Sequence, residues 1–152
     1  MNTPAQSQMN AIIADLQTLV PNTLNCVIAD DLSKVSVFDR IYPGFPAAVV
    51  MTPMLKVSDY EDTADNLRQY TWGILVVTTP ANLPDNDPTY LAGLIDNVSQ
   101  VFDLDSTLQG TANGGLYPAV LEPPGVISSN NITYVVFTMT LIARQIVPAG
   151  VQ

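Results

Sequence analysis

The run YTWGILVVTT, Tyr70 to Thr79, constrains this chain more than any other stretch, because it is apolar at both alternating sets of positions. A strand with one solvated face would show polar residues at every second place, so this one reads as a central strand. Ahead of it, AAVVMTPMLKVSDY from Ala47 is β-branched and extended, but Pro53 removes a ladder donor from its middle. That favours an edge strand or a bulge. Between the two apolar runs lies VSDYEDTADNLRQY, with the carboxylates Asp59, Glu61, Asp62 and Asp65 and one base, Arg68. The simplest construction is a long β-hairpin whose tip is this acidic segment.

Helical signals flank the hairpin. Thr3-Pro4 reads as an N-cap followed by proline at the first helical position, and Met9, Ile12, Ile13, Leu16 and Leu19 then recur at intervals of three and four until Pro21. Asp87-Pro88 repeats the signal, and Leu91, Leu94, Ile95, Val98 and Phe102 give a second amphipathic helix ending near Asp103 to Asp105. The segment from Cys26 to Pro46 reads as irregular chain with at most short strands, because its Tyr42-Pro43-Gly44-Phe45-Pro46 corner cannot be helical. After the second helix, LYPAVLEPPG reads as a short strand closed by prolines, SSNN as a turn, and ITYVVFTMTLIARQ as a long final strand. The expectation is one domain over residues 1–152: an α+β fold with a mostly antiparallel sheet, a long β-hairpin arm, and two amphipathic helices packed on one face.

Composition then narrows function. The net charge is −9 with five cations, too few to neutralise a phosphate backbone, so a nucleic-acid grip is not expected. An acidic protein can still surround DNA as a repulsive sleeve. No apolar run approaches the length of a membrane-spanning helix, so no membrane partner is expected, and the N-terminus lacks the regions of a secretory signal.

No histidine is present, which removes imidazole triads, the usual acid–base catalyst at neutral pH and, with a lone Cys26, the usual zinc sites. Cys26 has Asp30 and Asp31 nearby in sequence, which would oppose thiolate formation, and it reads as a buried structural cysteine. GTANGG lacks the Lys-Ser/Thr of a phosphate loop. The four hairpin carboxylates lack the alternating spacing of an EF-hand loop, so no metal or other cofactor is expected, and no catalytic residue. They read instead as a solvated loop or as one that docks on a neighbour. Phe38, Tyr42, Phe45, Met51, Met54, Trp72 and Tyr117 add apolar surface, some of it for a partner, with Trp72 open between core and interface.

The order of these segments resembles the tail terminator, or tail-completion, proteins of long-tailed bacteriophages. The likeness lies in the helix MNAIIADLQTLV, the IYPGFPAAVVM lead into a strand, the hairpin LKVSDYEDTADNLRQYTWGILVVTT, the helix PTYLAGLIDNVSQVF and the final strand ITYVVFTMTLIARQ. The resemblance implies a non-enzymatic structural protein of the virion neck, made in the host cytoplasm. It would cap the head-proximal end of the tail tube as a hexameric ring, stop tail polymerisation and join the tail to the head connector. DNA would pass through the channel without specific binding. The hairpin from Leu55 to Trp72 would then be the arm that contacts a neighbouring subunit or the tail tube, through Asp59, Glu61, Asp62, Asp65 and Arg68. Asp96, Asn97 and Gln100 on the second helix would face the channel or an adjacent subunit. Two other readings stay open: a head-closure or stopper protein of the same neck, and a soluble small-ligand or divalent-metal-binding module using the carboxylate loop.

Overall fold

The structure is a computed structural model and describes residues 2–30, 32, 38, 42–60, 65–85, 87–119 and 122–148. Its first helix, α1 (Pro4–Gln17), begins where the sequence places it. Thr3 Oγ1 accepts from the Gln6 amide at 3.3 Å while the Thr3 amide donates to Gln6 Oε1 at 2.8 Å, so two otherwise orphaned donors are satisfied reciprocally.

Three short pieces lead to the hairpin: β1 (Cys26–Ala29), β2 (Ala47–Val50) and, after a break at Met51–Pro53, β3 (Met54–Tyr60). The break follows from Pro53. Without an N–H it cannot continue the ladder, and the extended run splits into two strands that share one partner. That partner is β4 (Asp65–Thr78), which pairs with β2 over Ile74 to Val77 and with β3 over Asn66 to Thr71. A 3-10 turn at Pro80–Asn82 leads towards the second helix, α2 (Tyr90–Leu104). It starts two residues later than the proline signal suggests. Asp87 Oδ1 accepts from the Thr89 amide at 3.0 Å and from its hydroxyl at 2.7 Å, so Asp87 closes a turn ahead of the helix and Thr89 becomes the N-cap residue.

The chain then forms β5 (Gly115–Ala119), β6 (Gly125–Ser129) and β7 (Ile132–Pro148). The sequence reading has no β6 and places the turn at SSNN. In the structure Ser128 and Ser129 lie in the strand and Asn130-Asn131 alone make the turn, both with positive φ (52° and 64°), as a two-residue hairpin loop requires. β6 is exposed along most of its length, so it carries no buried periodicity for a sequence argument to detect.

The seven strands form one sheet of order β1-β2-β4-β7-β5, with β3 on β4 and β6 on β7, and only the β1–β2 pair is parallel. The fold is therefore α+β with a mostly antiparallel sheet. Its axis is the β4–β7 ladder, which runs unbroken from Thr78↔Val135 to Asp65↔Pro148. At about 3.4 Å per residue, 14 paired residues span roughly 45 Å.

Alternation along that ladder separates the two faces. Tyr70, Trp72, Ile74 and Val76 of β4, with Phe137, Met139 and Leu141 of β7, point to the face covered by both helices, against Ile12, Leu16, Leu94, Val98 and Phe102. Trp72, 1% exposed, belongs to this core. The opposite face is covered at one end, where Phe38, Tyr42, Phe45 and Met51 pack over Val49, Leu75, Val77, Tyr134 and Val136. Aromatic rings mediate that contact, with Phe38 and Phe45 centroids 5.1 Å and 6.2 Å from Tyr134. Of the seven residues that the sequence marks as possible partner surface, Met54 and Tyr117 are open, at 71% and 50% exposure.

Candidate functional site

The hairpin arm is three-stranded along its length, and β5 adds a fourth strand at its base. β3 and β4 form the expected pair from Met54↔Thr71 to Tyr60↔Asn66, with an irregularity in register between Val57 and Tyr60. The far half of β7 joins them, pairing Tyr70↔Ala143 through Asp65↔Pro148. The turn before β5 fastens this base: the Gly114 amide donates to the Arg144 carbonyl at 2.9 Å and the Ile146 amide to Asn113 Oδ1 at 2.8 Å. Pairing on both sides of β4 makes the arm a ribbon of sheet instead of an isolated hairpin, which would be marginal in water.

The predicted contact residues fall along this arm. The backbone places Asp59 in β3 and Asp65 at the first position of β4; Glu61 and Asp62 lie outside the described residues. Arg68 is half-buried on β4, opposite Val57 on one side and Gln145 on the other. Asp96, Asn97 and Gln100 are not part of the arm. They are exposed on α2, on the stripe opposite its buried residues Leu94, Val98 and Phe102, and so on the far side of the helix layer.

Sequence reasoning missed the cation that organises the arm base. Arg144 Nε donates to Gln69 Oε1 at 3.1 Å, and its guanidinium lies 5.1 Å from the centroid of the Tyr117 ring. The attraction is that of a cation for the negative face of an aromatic ring. Three of the five cations share two adjacent rungs: Lys56 and Arg144 flank Gln69, and Arg68 sits one residue along. No Lys or Arg occurs between Arg68 and Arg144, whereas Asp85, Asp87, Asp96, Asp103, Asp105 and Glu122 do. The arm base thus carries the three cations of the sheet beside the acidic tip, and neither helix has one.

Cys26 is only half-buried, not buried as its sequence context suggests, because it opens a strand at the sheet edge; its thiol donates to the Gly44 carbonyl at 3.4 Å. Desolvation pushes its pKa up, against nucleophilic use. Asp15 and Asp105 each bury one carboxylate oxygen without a donor. Desolvation, with a hydrogen bond and charge repulsion from Asp105, raises Asp15 to about pKa 7. A groove of about 410 Å³ lies where the edge of β7 is open between β6 and β5, lined by Pro123, Val126, Ile127, Val136, Thr138 and Thr140 among others. Among the described residues Glu122 is its one ionisable lining residue, with no described partner for acid–base work. Among the described residues no group of three or more Cys, Asp or Glu side chains could hold a metal ion. No described helix is long and apolar enough to cross a membrane.

Helices on one face of a mixed sheet, with a ribbon of that sheet extended and charged at its base, define the class: an α+β domain built around an arm. No protein-family model matches the chain, and no curated protein matches it.

Proposed function

We propose that the protein is a structural subunit of a bacteriophage neck, of the tail-terminator kind, which assembles into a hexameric ring on the head-proximal end of the tail tube. The observation that carries this reading is the three-stranded arm. Sheet that continues beyond a filled core exposes backbone edges and side chains that a solitary domain has no use for, and such edges invite pairing with another chain. The element order supports it as well: helix, hairpin, helix and long final strand follow the layout of the terminator family.

In this reading the arm, through Asp59, Glu61, Asp62, Asp65 and Arg68, engages the neighbouring subunit or the tube. Completion of the ring covers the growing end of the tube, and the same ring offers a surface to the head connector. The net charge of −9 suits a channel through which DNA slides, because like charge keeps the polymer off the wall. No turnover is involved.

Native mass spectrometry over a concentration series tests the proposal, with purified tail tubes added in a parallel series. A closed hexamer, free or on tubes, is the expected result. A monomer at every concentration, tubes present, overturns it.

A further inference from the structure

We infer that the ring uses a further contact beside the arm: the outer stripe of α2 from one copy lies on the sheet face around Arg144 of the next. This rests on the ring reading above and names the surfaces that reading leaves unspecified.

The receiving surface is the end of the second sheet face that no other described residues cover. One rung across four strands reads Met54–Thr71–Ile142–Tyr117, and the next on the same face reads Lys56–Gln69–Arg144–Gly115. The apolar cluster that covers the other end of this face does not extend to these rungs. Tyr, Met and Arg side chains, partly exposed and adjacent, are the residue types enriched in interface cores. The Gln69 bond and the Tyr117 ring hold Arg144 in place, so its charge meets a partner with little further loss of side-chain freedom.

The donating surface is the outer stripe of α2. Gly93, Asp96, Asn97, Gln100, Asp103 and Leu104 recur at helical spacing and are all exposed. Leu104, at 82% exposure, is an apolar anchor at one end, and two carboxylates precede it with no cation on the helix. Charge is therefore complementary: an acidic stripe with a leucine, and a basic patch with a methionine and a tyrosine. Size agrees too, since a helix of 15 residues is about 22 Å long and the outer axes of four strands are about 14 Å apart.

The two surfaces lie on opposite faces of one sheet, because α2 packs on the face that Trp72 enters and Arg144 belongs to the other. Two different patches that recognise each other across copies make a head-to-tail contact. It cannot close as a two-fold dimer, and repetition yields a ring or a filament.

Charge exchange tests the contact. Arg144→Glu and the double variant Asp96→Lys with Asp103→Lys are each examined by native mass spectrometry beside the parent, with circular dichroism as the check on folding. Each variant alone is expected to need about tenfold or more higher concentration for half-assembly. Mixed one to one, they are expected to regain parental assembly as alternating rings, since each junction then pairs opposite charges. The helix variant changes only exposed positions, so it remains informative should Arg144→Glu fold poorly. A parent that assembles while the helix variant assembles equally well overturns this contact and leaves the ring standing. A parent that stays monomeric with tail tubes present overturns both.

Discussion

Trp72 Nε1 donates to Gln8 Oε1 at 2.9 Å, a bond between the strand that carries the arm and the first helix, 64 positions apart in the chain. Both side chains are buried, and the Gln8 amide donates in turn to the Thr111 carbonyl at 3.1 Å. One glutamine thus ties α1, β4 and the segment before β5 together in a place where water cannot substitute.

Replacing Gln8 by Leu leaves the buried indole N–H and the half-buried Thr111 carbonyl without these partners. The expected loss is about 2–4 kcal/mol in urea unfolding at unchanged slope. Adding Trp72→Phe removes one of those orphans, so the double variant should lose less than the sum of the two single losses.

The Asp15–Asp105 pair makes stability fall with rising pH. Asp15 binds its proton more tightly folded, at about pKa 7, than unfolded, at 3.8, so between those values the native state holds more protons. The contribution is fully present below about pH 4 and is lost as pH rises through 7. Asp15→Asn should flatten that slope and raise stability at pH 8 by about 1 kcal/mol, a figure reduced for the solvent that Asp15 still meets. Thermal melts from pH 4.5 to 8 decide the matter; an unchanged slope would show that burial does not hold a proton on Asp15.

Reversing Asp62 and Asp65 to Lys is expected to leave the monomer folded, with an unfolding free energy within about 0.5 kcal/mol of the parent. Ring formation should weaken. Normal assembly of this double variant would sink the assignment of the arm tip as a contact.

Calorimetric titration with Ca²⁺ or Mg²⁺ is expected to give no saturable heat. A saturable heat that disappears in Asp59→Asn with Asp62→Asn would establish the metal-binding module in place of the neck protein.

Asn131→Gly should stabilise the β6–β7 hairpin by a few tenths to about 1 kcal/mol, because φ of +64° costs glycine less than asparagine. Denaturant midpoints of the two proteins provide the check.

The elements that could be read in the sequence are those whose own residues carry the signal. Thr3, Pro4 and Gln6 announce the first helix locally, and the two-sided apolarity of Tyr70 to Thr79 identifies the central strand because burial on both faces leaves no other pattern. Pro53 marked a disturbance without revealing that the run divides into two strands on one neighbour. That outcome depends on the length of β4, which is known only once β7 is seen beside it. β6 escaped because an exposed edge strand buries almost nothing. The site was harder still: Arg144, Gln69 and Tyr117 meet through pairings between residues 27 to 75 positions apart, and no spacing along the chain encodes that meeting. Gln8 looked like any polar residue of an amphipathic helix, since its partner is an indole on a strand that sequence could not orient.

The unbroken β4–β7 ladder also determines how the subunit carries load. A pull along the arm acts parallel to β4 and β7 and perpendicular to their hydrogen bonds, so the rungs from Asp65↔Pro148 to Thr78↔Val135 are sheared together. A pull across the arm opens them singly from the tip, like a zipper. The same strands are therefore stiff to tension along a ribbon axis and yielding to peeling at its end.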